Sequence, residues 1–368
     1  MTMKIVVGIS GGVDSAVAAL LLKQAGHEIT GLFMKNWEED DTAEYCSAAE
    51  DLKMANSVCN QIGIPLKTVN FATEYWDHVF SYFLTEYRSG RTPNPDVLCN
   101  KEIKFKAFLE HARVLDADYI ATGHYARVVH RDGRYRLLKA RDANKDQSYF
   151  LHLLGQEALA QTLFPIGDLT KDEVRQLAKQ EGLANFDRPD STGICFIGER
   201  DLKSFLARYL SAQPGEMRTL EGTLKGRHDG VIYYTIGQRH GLGIGGQGAA
   251  WYVVGKNVSH NILYVGQGEQ NPALYSGALI CGNPHWIGGA IPARLEKLCA
   301  KTRYRQPDQC CTLAPLETGL RVSFDVEQRA IAPGQSVVFY DGEECLGGGT
   351  IEQSLPISQS RAVRMACH

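Results

Sequence analysis

Apolar residues in the first third of the chain follow two periods, one typical of buried strands and one typical of amphipathic helices. Four apolar or β-branched runs, each predicted to be a strand, cover residues 4–9, 27–34, 64–71 and 117–123. Helical spacing is found between and after these strands, at residues 16–26, 43–62, 73–90 and 101–115. This alternation predicts an α/β fold with a doubly wound parallel sheet, in which ligands bind at the carboxyl ends of the strands.

The pattern changes after Gly215, where glycine becomes frequent and short alternating segments replace helices. Residues 231–236, 251–257 and 262–266 are predicted strands, and a further all-β region begins near residue 277. We therefore predict two small β-rich domains after the parallel-sheet domain, the last of them a β-barrel. The predicted limits are 1–205 for the catalytic domain, 206–272 for the central domain and 273–368 for the barrel.

Two local signals predict smaller elements. Asp132-Gly133 has the composition of a tight turn and predicts a hairpin over residues 126–140. Thr170 and Glu173 have the spacing of a capping box, which predicts a helix that starts there and ends at Gly182.

The loop between the first strand and the first helix is the strongest candidate for a binding site. A glycine-rich turn that enters a helix directs free N–H groups and the helix dipole at an anion, and glycine lets the backbone approach a phosphate closely. Asp14 is suited to orienting the loop or to helping hold Mg²⁺. The predicted phosphate-binding loop consists of Ser10, Gly11, Gly12, Val13, Asp14 and Ser15.

Composition limits the classes of protein that this chain can belong to. Its 368 residues are 44% hydrophobic with a net charge of −3, so any nucleic acid must be bound by local basic patches. We found no secretory segment and no apolar run long enough for a bilayer, and we expect a cytoplasmic protein with no membrane contact. Ten cysteines without a CxxC pair argue against a disulfide framework or a zinc ribbon.

Two of these cysteines lie in irregular segments attached to the catalytic domain. Cys99 follows Asn94-Pro95-Asp96 and precedes a lysine-rich helix, which predicts a thiol with a lowered pKa. Cys195 lies in a segment of small residues at 190–198. Two reactive thiols beside a nucleotide loop suggest sulfur transfer, in which one sulfur carries a persulfide and the other thiol breaks the resulting S–S bond.

The nucleotide loop lacks the lysine of the common P-loop and resembles the PP-loop of ATP pyrophosphatases. The whole chain resembles the tRNA-specific 2-thiouridylase family. The motifs that carry this resemblance are GISGGVDS at 8–15, FMKNW at 33–37, RTPNPDVLCNKEIKF at 91–105, ATGHYAR at 121–127, KDQSYFL at 145–151, DSTGICFIG at 190–198, YTIGQRHGLGIGG at 234–246 and RYRQ at 303–306.

The resemblance implies roles for individual residues. It implies ATP contacts at Gly8, Ile9, the loop Ser10–Ser15, Met34 and Gly123. It further implies a nucleophile at Cys99 and a persulfide at Cys195. It also implies that Asn94, Pro95 and Asp96 meet the target base, with Asp96 suited to general acid–base work. The implied tRNA contacts are His124, Lys145, Asp146, Gln147, Arg303, Tyr304 and Gln335.

The reaction implied by the resemblance is thiolation of the wobble uridine of the tRNAs for Lys, Glu and Gln. ATP and Mg²⁺ are the expected cofactors, with no separate protein metal site. The expected partners are the anticodon region of tRNA and an upstream persulfide donor or sulfur-relay protein, and we expect a monomer.

Three other interpretations remain open from the residues alone. One is a PP-loop enzyme that adenylates a different acceptor. Another is a thiolase that uses an iron–sulfur cluster, for which the missing CxxC gives no support. The third is an RNA-binding protein without activity, which the intact loop and both cysteines disfavour.

Overall fold

The computed structural model describes residues 2–38, 47–190, 195 and 201–356 of the chain. The predicted first strand is β1 (Lys4–Gly8), and its residues Ile5, Val6 and Val7 are almost fully buried. The strands that follow it in the first half of the chain are β2 (Glu28–Lys35), β3 (Leu66–Asn70), β4 (Tyr119–Ala121), β5 (Ala126–Arg131), β6 (Arg134–Lys139) and β7 (Thr162–Leu163).

Five parallel strands in the order β3-β2-β1-β4-β7 form the first sheet. β1 is central, because β2 pairs with one of its edges and β4 with the other. The chain therefore winds outward to β3 and then returns to the other side of β1, which opens a crevice at the carboxyl ends of β1 and β4. The doubly wound parallel sheet is confirmed.

The predicted helices are present, with two departures from α-geometry. The helix predicted over residues 73–90 has a π-helical centre at Trp76–Phe80, and the helix predicted from residue 101 begins earlier and contains the π-helical segment Cys99–Ala107. The α-helices of the first 210 residues are α1 (Val13–Gln24), α2 (Ser47–Ile62), α3 (Ala72–Tyr75), α4 (Ser81–Arg88), α5 (Pro95–Leu98), α6 (Phe108–Val114), α7 (Gln156–Ala160), α8 (Lys171–Gln180) and α9 (Leu202–Ala207).

The second sheet has four strands in the order β10-β11-β8-β9. They are β8 (Gly215–Arg218), β9 (Leu224–His228), β10 (Trp251–Asn257) and β11 (Ile262–Gln267). The strand predicted over residues 231–236 is wrong, because Val231–Tyr233 forms a single 3₁₀ turn. Gly230 has a φ of 154° there, and its carbonyl accepts a hydrogen bond from Tyr233 N at 3.1 Å. Val231 and Ile232 are therefore buried by a turn and not by a strand.

The third sheet contains the predicted barrel. It is built from β12 (Tyr275–Trp286), β13 (Leu298–Lys301), β14 (Gln309–Pro315), β15 (Leu320–Arg329), β16 (Ser336–Asp341) and β17 (Glu344–Pro356). The barrel closes because β12 pairs with both β15 and β17. Alternate residues point inward along each strand, and Leu279, Val322 and Phe339 are fully buried in its core.

The hairpin predicted around Asp132-Gly133 is present as β5 and β6, but it pairs with the barrel and not with the parallel sheet. Glu344 and Cys345 of β17 pair with Leu138 and Leu137 of β6. The hairpin thus extends the barrel sheet and ties the N-terminal part of the chain to the C-terminal part. Among the described residues, no helix combines the length and apolar character needed to cross a bilayer.

The predicted capping box at α8 is confirmed. Thr170 Oγ1 accepts a hydrogen bond from Glu173 N at 3.3 Å, and Glu173 Oε2 accepts one from Thr170 N at 2.7 Å. Both contacts satisfy N–H groups that the first helical turn leaves unpaired.

We expect Thr170→Ala to lower the free energy of unfolding by about 1 kcal/mol, because the N–H group of Glu173 loses its hydrogen-bond acceptor. Thermal unfolding should show a decrease of a few degrees in Tm. Thr170→Ser keeps the oxygen and should match the wild type. Equal Tm values for all three proteins would show that the cap contributes nothing.

Candidate active site

The loop after β1 is closed by its own hydroxyl groups. Ser15 Oγ accepts a hydrogen bond from Ser10 N at 3.2 Å and donates one to Gly12 O at 3.0 Å. Gly11 has a φ of +81°, a conformation that a side chain would strain. Gly12 is the N-cap residue of α1 and brings no side chain to the N–H groups of the first turn. The loop therefore has the shape and the donors of an anion site.

Asp14 is held by two groups that the sequence analysis did not identify. Lys171 Nζ, at the start of α8, lies 2.7 and 2.8 Å from its two carboxylate oxygens, and Tyr125 Oη donates to it at 2.8 Å. Lys171 Nζ also contacts Asp190 at 2.6 Å. Because Lys171 and Tyr125 already contact Asp14, the first of its two expected roles, orienting the loop, fits these contacts better than a direct bond to Mg²⁺.

The predicted ATP residues Met34 and Gly123 both lie against this loop. A Cβ atom on Gly8 would lie 3.2 Å from Met34 Cε, and a Cβ atom on Gly123 would lie 2.5 Å from Ser15 N. Only a glycine at position 123 lets the end of β4 approach the start of α1 so closely. The structure thus brings together the predicted phosphate-loop residues, Met34 and Gly123.

Cys99 lies inside a helix and not in the open loop that we expected. Asn94 caps α5 by accepting a hydrogen bond from Asp96 N at 3.2 Å, and Pro95 occupies the first turn. The chain then continues directly into the π-helical segment, where Cys99 is fully buried. The proline-rich segment is therefore a helix start.

The two candidate thiols meet. Cys99 Sγ lies 3.7 Å from Cys195 Sγ. Asp96 accepts a hydrogen bond from Cys195 N at 2.9 Å, and Tyr75 Oη donates to Cys195 O at 3.0 Å. The ring of Tyr75 packs in the hydrophobic core, and its hydroxyl group positions Cys195.

Charge is distributed unequally over the two sulfurs. Burial raises the pKa of the Cys99 thiol well above its usual value, so the expected lowered pKa is wrong for this residue. The hydrogen bond from Cys99 and the charge of Lys104 lower the pKa of Cys195. Burial raises the pKa of Asp96, which brings that carboxyl group closer to proton exchange near neutral pH.

The C-terminal barrel holds the segment that contains the catalytic candidates. Gln335 Nε2 donates to Thr92 O at 2.8 Å and to Pro93 O at 3.3 Å, and Thr92 N donates to Pro333 O at 2.8 Å. Gln335 was predicted to contact tRNA, and the structure places it as an anchor of the 91–98 segment.

Four other predicted tRNA residues, at positions 124 and 145–147, make contacts inside the protein. His124 and Asp146 are buried, and His124 Nδ1 lies 2.8 Å from Thr122 Oγ1. Lys145 Nζ pairs with Asp190 at 2.6 Å. Gln147 Oε1 accepts a hydrogen bond from Tyr125 N at 2.9 Å.

Arg303 and Tyr304 lie in a connection of the barrel. Arg303 is exposed, and the Tyr304 ring lies 4.5 Å from the ring of Phe150. Of the predicted tRNA residues, therefore, Arg303 is exposed while most of the others make internal contacts. Their contacts with tRNA stay predictions.

Comparison with known proteins gives the family. The tRNA methyl transferase HUP domain model matches residues 3–199, the tRNA methyl transferase PRC-barrel model matches 203–267, and the aminomethyltransferase beta-barrel model matches 276–351. The tRNA-specific 2-thiouridylase MnmA 2 of Geobacillus kaustophilus is 61% identical over 351 residues, which are 95% of both chains. This chain belongs to the tRNA-specific 2-thiouridylase family.

Other family members are similarly close. The tRNA-specific 2-thiouridylase MnmA of Pseudomonas fluorescens is 59% identical over 353 residues, which cover 95% of this chain and 94% of that protein. A solved 4-thiouridine synthetase–RNA complex with bound ATP has 18% identity and a TM-score of 0.35, and the match covers 56% of this chain and 49% of that one. At that level the similarity is too low to indicate a shared function.

Several functional candidates were missed from the sequence. Lys171 and Tyr125 reach Asp14 from elements distant in the chain. Asp190, which contacts Lys171, is the first residue of the motif that contains Cys195. Lys145 and Lys171 outweigh the effect of burial and lower the pKa of Asp190 to about 2. Within the described residues, no three His, Cys, Asp or Glu side chains form a group suited to a metal ion.

We expect Gly123→Ala to weaken ATP binding at least ten-fold, because the new methyl group would push the backbone of Asp14 and Ser15 out of place. Isothermal titration with ATP measures this effect. Gly155→Ala is the matched control, since a Cβ atom there would meet nothing within 4 Å. Equal ATP affinity in both variants would contradict the close-contact argument.

Gln335→Ala should lower the rate of sulfur transfer, because the 91–98 segment loses two hydrogen bonds, while ATP affinity should stay unchanged. Steady-state kinetics with tRNA separates the two roles of Gln335. A lower kcat at unchanged KM supports the anchor, whereas a higher KM for tRNA at unchanged kcat supports the predicted tRNA contact instead.

Proposed function

We propose that this chain is an ATP-dependent tRNA 2-thiouridylase that replaces oxygen by sulfur at C2 of the wobble uridine in the tRNAs for Lys, Glu and Gln. Its membership of the family supports the reaction. The observation that carries the mechanism is the pair of sulfurs at 3.7 Å, beside Asp96. Disulfide exchange needs this proximity and one thiolate.

The first step activates the uridine. The loop at Ser10–Ser15 binds the phosphates of ATP, the C2 oxygen attacks the α-phosphorus, and pyrophosphate leaves. Met34 and Gly123 border the same crevice. When bound with ATP, Mg²⁺ supplies positive charge to the phosphates, and we assign it no direct protein ligand because Lys171 occupies Asp14.

The second step transfers sulfur. The terminal sulfur of a Cys195 persulfide attacks C2, and the C–O bond breaks with loss of AMP. Cys99 then gives its proton to Asp96 and attacks Cys195 Sγ, and the electron pair of the broken S–S bond goes to the uridine sulfur. The products are 2-thiouridine and a Cys99–Cys195 disulfide, which a thiol reductant opens before a persulfide donor reloads Cys195.

The RNA is bound by a face that includes the barrel. Arg303 is exposed and offers charge to a phosphate, and Tyr304 beside it offers an aromatic surface. Lys145 is partly exposed and becomes available to a phosphate when it exchanges its partner Asp190. We propose that three residues with internal contacts hold the side chains of this face in position. They are His124, Asp146 and Gln147.

A sulfur-transfer assay tests the proposal. Purified protein, unmodified tRNA, ATP–Mg²⁺ and a labelled persulfide source are combined, and the nucleosides of the digested tRNA are analysed. We expect label in 2-thiouridine with the wild type and less than about 1% of it with Cys99→Ser or Cys195→Ser, because each thiol is needed once per turnover. Cys310→Ser is the control, since Cys310 is an exposed cysteine of the barrel.

The assay has two contradicting outcomes. AMP formation without labelled 2-thiouridine would favour a PP-loop enzyme with a different acceptor. Full activity of Cys195→Ser would remove the persulfide step from the mechanism.

A further inference from the structure

Lys104 is a cation beside the thiol pair to which none of the steps above assigns a role. It lies in the π-helical segment Cys99–Ala107 and is partly buried. Its side chain hydrogen-bonds to Cys195, and its charge acts on Cys99 and Asp96 as well. Burial disfavours the charge of Lys104, but the three acidic groups outweigh burial and raise its pKa.

The π-helix explains how Lys104 reaches the sulfurs. In an α-helix, residues five apart point about 140° away from each other, so Lys104 would turn away from Cys99. A π-helix closes its hydrogen bonds from i to i+5, and its wider turn brings residues five apart closer to one side. Asp96 precedes Cys99 by three residues in α5, which places it on that side too. The change from α- to π-geometry at Cys99 thus gathers a carboxyl group, a thiol and an ammonium group.

We propose that Lys104 is the positioning residue that decides which active-site sulfur carries the negative charge. Its ammonium group stabilises the Cys195 thiolate, while Cys99 keeps its proton and donates it in a hydrogen bond to Cys195. The consequence for sulfur transfer rests on the proposed function.

The same charge serves both sulfurs in turn. Before transfer, the ammonium group of Lys104 stabilises the negative charge of the loaded Cys195 persulfide, whose terminal sulfur is therefore a nucleophile. Once Cys195 is bonded to the uridine sulfur it carries no charge, and the ammonium group then stabilises Cys99 as a thiolate when its proton moves to Asp96. One fixed cation thus supports two nucleophiles that are never needed at the same time.

The groups facing the sulfurs come from several elements. Asp96 and Cys99 face Cys195 from α5 and the π-helical segment, and Tyr75 faces it from α3. Burial and these acidic neighbours raise the pKa of Tyr75, so its hydroxyl stays protonated. His124 packs on Phe105 with ring centres 5.6 Å apart, and burial and the charge of Lys104 lower its pKa, so it adds no charge near neutral pH. Of the groups named here, Lys104 is the only cation.

The test measures the alkylation rate of Cys195 against pH in the full-length protein, by mass spectrometry of its peptide and without tRNA or ATP. We expect Lys104→Met to move the midpoint of the Cys195 profile up by about one pH unit, which is about a ten-fold loss of reactivity below the midpoint. Lys104→Arg keeps the positive charge, so the midpoint of its Cys195 profile should lie close to that of the wild type. Lys104→Gln is measured in parallel in case the methionine variant does not fold.

Lys106→Met is the matched control. Lys106 lies on the same helix, but it is exposed and pairs with Glu102 at 3.1 Å. Cys310 in the same samples reports any change in the reagent itself. A Cys195 midpoint that is the same in Lys104→Met, Lys104→Gln and Lys106→Met would overturn the proposal.

Single-turnover thiolation separates this proposal from the proposed function. With persulfide-loaded protein, Lys104→Met should slow 2-thiouridine formation at least ten-fold at neutral pH and regain part of that rate at higher pH. No 2-thiouridine from the wild type would mean that the proposed function fails, whatever the alkylation profile shows. Normal thiolation by Lys104→Met beside an active wild type would mean that Lys104 has no such role.

Discussion

The contact between Gly123 and the backbone of Asp14 and Ser15 holds the two halves of the active site together. Gly123 lies two residues after the end of β4 and contacts the loop at Ser10–Ser15. Its neighbour His124 packs on Phe105 of the π-helical segment that contains Cys99. The distance between the loop at Ser10–Ser15 and the thiols is therefore set by two adjacent residues that follow β4. A parallel sheet provides such a point because the loops of neighbouring strands meet at the same edge.

Charge balance is the second constraint on the site. Asp14 and Asp190 share Lys171, and Cys99, Cys195 and Asp96 share Lys104. Lys145 and Arg175 also pair with Asp190, so the carboxylates around Lys171 are neutralised, whereas in the second group the one cation, Lys104, faces three acidic groups. Such an arrangement leaves one acidic group able to hold or lose a proton, and this is useful where a sulfur must alternate between thiol and thiolate.

The barrel has a structural role in the active site as well as a predicted role in RNA binding. Gln335 holds the segment before Asp96, Tyr149 Oη donates to Ser336 O at 2.9 Å, and the hairpin β5–β6 adds to the barrel sheet. The N-terminal and C-terminal parts are thus joined at several points, one of them in the segment that precedes Asp96.

The amino-acid sequence by itself determined the features that depend on neighbours along the chain. The order of strands and helices, the phosphate loop, the capping box at Thr170 and the turn at Asp132-Gly133 follow from local periodicity, N-cap chemistry and glycine conformations, and the motifs around Cys99 and Cys195 indicated sulfur chemistry.

Only the tertiary structure decided which distant groups meet. Lys171 reaches Asp14 across 157 positions, the hairpin joins the barrel, and burial beside Lys104 reverses the expected charge of Cys99 relative to Cys195. A pKa and a side-chain partner depend on desolvation and on charges brought in by folding, and no local pattern contains that information.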